Sequence, residues 1–194
     1  MLRLFALLAF LAPNAALAHH PMGGATPATL WQGLASGVGH PVIGLDHLAF
    51  IIGMAMLALL TKAPRVMPIA FVAACVVGTL IHLQAVSLPA AELVIAASVL
   101  LVGVLGLAGA RLPVLAAAGF FAIAGVFHGY AYGEAVVGAE ATPILAYLIG
   151  FAATQCAIAW GLQLAAERSV RMAMWVTAGA GIAVGVGAAA LAAG

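Results

Sequence analysis

Residues Val42 to Leu60 read VIGLDHLAFIIGMAMLALL, and only Asp46 and His47 in this run are ionisable. A bilayer core asks for about 20 apolar residues per helix. The run therefore predicts a membrane helix that carries a carboxylate and an imidazole near its start. Five further apolar runs obey the same rule: Met67–Val86, Ala91–Gly109, Val114–Tyr132, Pro143–Ala166 and Met172–Ala193. Short joints with prolines and charges separate them, such as Thr61-Lys62-Ala63-Pro64-Arg65 and Arg111-Leu112-Pro113. Residues 21–39 are Gly-, Ala- and Thr-rich and too polar to span, so they are expected at the outer surface.

Composition agrees. The chain has 194 residues, 66% hydrophobic and 6% charged, with mean hydropathy +1.26. A soluble domain carries about 25% charged residues. This chain cannot cover a water-facing surface and belongs in lipid. A net charge of +1, from scattered basic residues, leaves no electrostatic footprint for nucleic acid. Cys75 and Cys156 fall inside apolar runs without a CxxC spacing, and read as small hydrophobes.

The N-terminus reads as a cleavable signal peptide. Arg3 supplies the positive end, Leu4 to Ala12 the apolar stretch, and Ala16-Leu17-Ala18 the A-x-A cleavage signal. Cleavage after Ala18 makes His19 the first mature residue and sends the adjoining segment across the membrane. With six helices, the first, third and fifth connections then lie inside. Lys62, Arg65, Arg111, Arg168 and Arg171 all fall in those connections, as the positive-inside rule requires. Glu92, Glu134 and Glu140 fall in or beside the outer ones. The expected organisation is a signal peptide over 1–18, a periplasmic segment over 19–41 and a six-helix transmembrane domain over 42–194. The fold is an all-α membrane protein of the bacterial inner membrane, with its mature N-terminus in the periplasm. Gly129 and Gly133, and four glycines of the last run, let helices approach closely. They fit either contacts within one chain or a homo-oligomer interface.

Ionisable groups inside membrane helices are costly and mark function. His40, Asp46 and His47 open the first helix at its outer end. His82 lies in the outer half of the second. His128 lies near the outer end of the fourth, with Glu134 beyond it. Three helices thus bring imidazole and carboxylate to a similar depth, and His19 and His20 lie on the same side. Such donors suit nickel, cobalt, zinc and copper(II). If the chain is cleaved after Ala18, the His19 amine and ring can chelate one ion. Pro41 suits a first helical turn, which puts His40 at the cap. On an ideal helix His40 and His47 stand roughly 10 Å apart on one face. Sharing an ion then needs unwinding at Gly39 or Gly44; two successive sites along a path are the alternative. On a straight helix His128 and Glu134 point about 120° apart. Tyr130 and Tyr132 fit an interfacial aromatic belt. Thr154 and Gln155 are the best mid-membrane polar pair for a transport path, with Thr79, Gln84 and Ser98 as further stations; helix–helix contacts account for them equally well.

The string His40-Pro41-Val42-Ile43-Gly44-Leu45-Asp46-His47 resembles the HPxxGxDH signature of the HupE/UreJ proteins. Phe127-His128-Gly129-Tyr130-Ala131-Tyr132-Gly133-Glu134 is similar to their FHGxAxGxE motif, departing where Glu134 follows Gly133 directly, one residue early. The first motif is also similar to the HxxxxDH element of larger nickel–cobalt permeases, with spacing one residue longer. The resemblance spans essentially the whole chain. It implies a permease for Ni2+ or Co2+ that supplies hydrogenase or urease maturation, with the ion as cargo and no permanent cofactor. It marks His40, Asp46 and His47 in the first motif and His128 and Glu134 in the second. Two other classes remain on the sequence: a membrane metal sensor or assembly factor that does not transport, and a haem protein with His82 and His128 as axial ligands. No HExxH-like or nucleotide-binding motif is present, so no enzyme is expected.

Overall fold

Helix α1 starts where the sequence reading expects a surface segment. In the computed structural model, which describes Gly23 and residues 25–166, α1 runs Leu30–Ile43. Its start is a capping arrangement: Thr29 Oγ accepts from the Gln32 N–H, and Gln32 Oε1 accepts from the Ala28 N–H. This T-x-x-Q pattern satisfies one amide of the first turn, that of Gln32, and the Ala28 amide just before the cap. The helix then stops at Gly44, whose φ of −71° and ψ of 99° are extended. The Gly44 N–H still closes onto His40 O, and Gly44 O already accepts from Leu48 N–H. One residue therefore separates α1 from α2, Leu45–Ala58, and the two axes differ by 72°.

This corrects the expectation of one straight helix over Val42–Leu60. It also moves Pro41 from a first turn to a last turn. There its missing N–H removes one helical bond just before the break. Four more helices complete the described chain: α3 Met67–Leu83, α4 Ala91–Leu107, α5 Val114–Glu134 and α6 Ala141–Ala166. Pro68 opens α3 and Pro113 caps α5, both positions where a missing N–H costs little.

All regular structure among the described residues is helical. The α5 and α6 helices are each long and apolar enough to cross a membrane, and α1 with α2 passes that test as a bent pair. The α3 and α4 helices are apolar but shorter, at 17 residues each. Large apolar side chains face outward, among them Leu115, Trp31, Leu93, Ile123 and Leu145. Such a surface suits lipid and not water. The predicted signal peptide, His19, His20 and the last predicted helix, Met172–Ala193, lie outside the described residues.

Two seams hold the bundle together, and both are built on small residues. Along α3 and α5, Gly78 lies against Val126, Gly129 against the Cys75 backbone, and Gly125 against Phe71. Thr79 Oγ donates across this seam to Gly129 O at 2.8 Å. Along α1 and α6, Gly33 lies against Pro143, Gly37 against Tyr147, and Gly150 against Leu34. Such close approach gains dispersion contacts, which replace the hydrophobic drive that lipid does not supply. The Gly129–Gly133 pair is thus engaged within one chain. The Thr61–Arg65 connection meets the far end of α6, where Trp160 Nε1 donates to Arg65 O. The opposite end of the bundle carries the α5–α6 turn, where Thr26 reaches Val137 O.

Candidate metal site

The break at Gly44 brings the two signature histidines together. His40 ends α1 and His47 opens α2, and their ring centroids stand 5.6 Å apart, edge to face. A straight helix would hold them nearly twice as far apart. Gly44 has no room for a side chain, because a Cβ there would meet His47 Cδ2 at 2.7 Å. Asp46 sits in the first turn of α2, where a carboxylate favours the helix N-terminus. Its Oδ1 accepts from the His47 N–H at 2.8 Å.

α5 adds the third imidazole. His128 Nδ1 lies 2.8 Å from His47 Nδ1, with ring centroids 5.1 Å apart. All three histidines are fully buried. One set of tautomers fits these hydrogen bonds. Ser98 of α4 gives its proton to Ile95 O, which leaves its oxygen to accept from His128 Nε2–H at 3.0 Å. His128 Nδ1 is then the acceptor, and His47 Nδ1–H donates to it. His47 keeps its lone pair on Nε2.

The same logic runs through His40. Tyr147 of α6 donates to Tyr132 O at 2.8 Å and accepts from His40 Nδ1–H at 2.7 Å. His40 also keeps its lone pair on Nε2. Metal-binding histidines are commonly oriented this way, with one ring nitrogen donating to oxygen and the other left basic.

Aromatic rings close the site. Tyr132 packs on His47 at 4.2 Å and on His40 at 4.8 Å. Phe50 and Phe71 lie 4.6 and 5.8 Å from His128. Tyr132 is fully buried rather than part of an interfacial belt. The site is preorganised but not formed as a ready cage. Among the described residues no three His, Cys, Asp or Glu side chains are grouped to hold a metal ion. The hydrogen bond from His47 occupies the Nδ1 lone pair that His128 would otherwise turn to an ion.

Other candidates lie elsewhere. His82 packs its ring on Tyr130 at 4.3 Å and is half-buried. Glu134, at the end of a continuous α5, is exposed. Gln155 is fully buried, while Thr154 is half-buried on the same helix. His82 and His128 thus have different ring partners, which does not favour a shared haem. Tyr147 and Gln163 were not singled out in the sequence, although Tyr147 lies eight residues before Gln155 and sixteen before Gln163 on α6. The recurrence of polar or aromatic residues at multiples of four, Tyr147, Phe151, Gln155 and Gln163, was the available signal.

The model for the HupE / UreJ protein family matches residues 6–191. The chain belongs to the HupE/UreJ family. It is similar to "Protein HupE" of Rhizobium leguminosarum bv. viciae, 33% identical over 164 residues, covering 82% of this chain and 84% of that one. No solved structure matches the chain.

Proposed function

We propose that this HupE/UreJ member carries a divalent transition metal ion, nickel first and cobalt second, across the bacterial inner membrane. The observation that carries this reading is the meeting of His40, His47 and His128, from three helices, around the break at Gly44. Two of these imidazoles keep basic Nε2 atoms, and Asp46 adds negative charge beside them. Neutral imidazole with carboxylate is the donor set of a borderline dication. The family, whose members are regarded as nickel permeases serving hydrogenase or urease maturation, supports the same cargo.

Capture is from the periplasmic side, to which the signal peptide and the placement of basic residues assign this end of the bundle. The ion gives up part of its water shell to the histidines and Asp46, and the hydrogen bond between His47 and His128 opens so that His128 Nδ1 can turn to the ion with no proton lost. The leading His19 and His20 load it when the signal is cleaved after Ala18. The membrane potential favours inward movement of a dication by about 4.6 kcal/mol per 100 mV.

The test is uptake of radioactive nickel at nanomolar concentration in cells lacking their own importers, with cobalt as competitor. Uptake by the unmodified chain and not by His47→Ala, at equal expression, is expected. Background uptake by both, with the protein inserted, would sink the transport reading. It would favour a sensor or assembly factor, to which the hydrogen-bonded state of His47 and His128 also lends itself.

A further inference from the structure

Below the histidines, buried polar groups line one face of α6 without full hydrogen-bond partners. Gln155 and Gln163 are both completely buried. Gln155 Oε1 faces the Cys75 thiol at 3.8 Å, and its Nε2 makes no hydrogen bond. Gln163 Nε2 donates to Ala55 O and Pro64 O, but its Oε1 accepts from nothing. The buried Tyr132 hydroxyl likewise has no hydrogen-bond partner. A buried polar group of this kind costs about 1–3 kcal/mol if left dry. Three of them in an otherwise apolar bundle call for a common explanation.

Their order supplies one. Tyr132 touches His47 on one side and stacks on Phe151 at 5.2 Å on the other. Gln155 follows Phe151 by one helical turn, with the Cys75 thiol beside it. Gln163 comes about 12 Å further along α6. It lies beside Pro64, in the first connection. The groups therefore descend from the histidine site toward the opposite end of the bundle. Amide and hydroxyl groups of this sort hold water, and an amide oxygen also serves a cation directly.

We propose that Tyr132, Gln155 and Gln163 mark a wetted track along the buried face of α6, which receives the partly hydrated dication after the histidines release it. Gln155, with the Cys75 thiol beside it, is the midway station. The Gln163 amide oxygen is the exit station. Thr154, half-buried and on a different face, is not part of the track. This deepens the transport reading and rests on it for the identity of the cargo. The wetness of the track is independent of transport.

Cys75 is a built-in reporter. It is fully buried, and Cys156 is the one other cysteine in the chain. The full chain with Cys156→Ser is treated in native membranes with silver ion, which travels to a buried thiol through water. The remaining free thiol is then counted by maleimide after denaturation. The control carries Cys75→Ser, Cys156→Ser and Val102→Cys, a position equally buried and packed on Gly53. Cys75 is expected to react at least about tenfold faster than the control thiol, and more slowly under saturating nickel. Equal, slow reaction at the two positions would overturn the track. A second variant, Gln155→Leu, keeps the volume and removes the amide. It is expected to slow silver reaction at Cys75 and to lower nickel uptake by about tenfold, the worth of one buried polar partner. Undiminished uptake in Gln155→Leu would equally overturn the proposal. Absent uptake by the unmodified chain with fast silver reaction would overturn the transport reading and leave the track standing.

Discussion

α5 presents two faces, and they do opposite things. Toward α3 it offers Gly125, Gly129 and Gly133 at four-residue spacing, and the helices close until backbone meets backbone. Polar groups there are quenched locally, as where Thr79 donates to Gly129 O. Toward α2, α4 and α6 the same helix offers His128, which is hydrogen-bonded to His47 and Ser98, and Tyr132, whose ring packs on His47. The first face uses its small residues for contact. The second places basic nitrogen in an apolar interior, where a cation or a proton can use it. Membrane helices carry both kinds of burial, and the partner of the polar atom tells them apart.

The sharpest way to break this contrast is to damage the seam. A Cβ at Gly129 would run into the Cys75 backbone, which cannot move aside as a side chain can. Gly129→Leu is expected to cost about 3 kcal/mol or more. The measurement is the yield and thermal stability of the detergent-extracted protein, and both should fall before any question of transport arises. Normal folding of this variant would mean that the seam is not the frame on which the site is hung.

Next in size come the imidazoles. His47→Ala and His128→Ala are expected to leave folding intact and to lower nickel uptake by about a hundredfold, at the upper end for loss of a metal-site group. Opposite behaviour, with misfolding and no specific loss of uptake, would make the histidines structural. Their orienting partners should show a smaller effect. Ser98→Ala leaves His128 Nε2–H without its acceptor and frees the ring to change tautomer. Uptake should fall by about tenfold, and Ser98→Thr, which keeps the hydroxyl, should recover most of it. Tyr147→Phe, which removes the hydroxyl between His40 and Tyr132 O, should cost about fivefold, the worth of one hydrogen bond.

Much of this contrast was legible in the sequence, and the rest has physical reasons for hiding. The apolar runs gave helices α3 to α6 closely, because prolines and charges punctuate them. The depth argument grouped His40, Asp46, His47, His82 and His128 with Glu134, because ionisable residues are rare in such a chain; the structure brings His40, His47 and His128 together and leaves His82 and Glu134 apart. What depth alone missed was the course of the backbone around these three. Gly44 was one of two glycines that could unwind the helix, and choosing between them needs the packing of His47 against it. The helical nature of Leu30–Ile43 was written in Thr29 and Gln32, but the polar composition of residues 21–39 masked it. Tyr147 was hidden for another reason. A tyrosine in an apolar run looks like core, and only its contact with His40, 107 residues away, gives it a role.

The smallest expected effect tests the boundary of the site. Glu134 belongs to a signature-like string, yet α5 continues straight through it and turns its carboxylate outward, away from His128. The string is one residue short between Gly133 and the glutamate. On a helix that deletion rotates the side chain by about 100°. An exposed carboxylate at this end of the bundle can raise the local concentration of cations but makes no bond in the histidine site. Glu134→Gln should therefore change nickel uptake by no more than about twofold, with any change removed by raising the ionic strength. Inserting one residue between Gly133 and Glu134 instead restores the longer spacing and turns the carboxylate back toward the bundle. If Glu134→Gln abolished uptake as completely as His47→Ala, α5 would have to bend at Gly133 during transport, and the two faces of this helix would not be as separate as they stand.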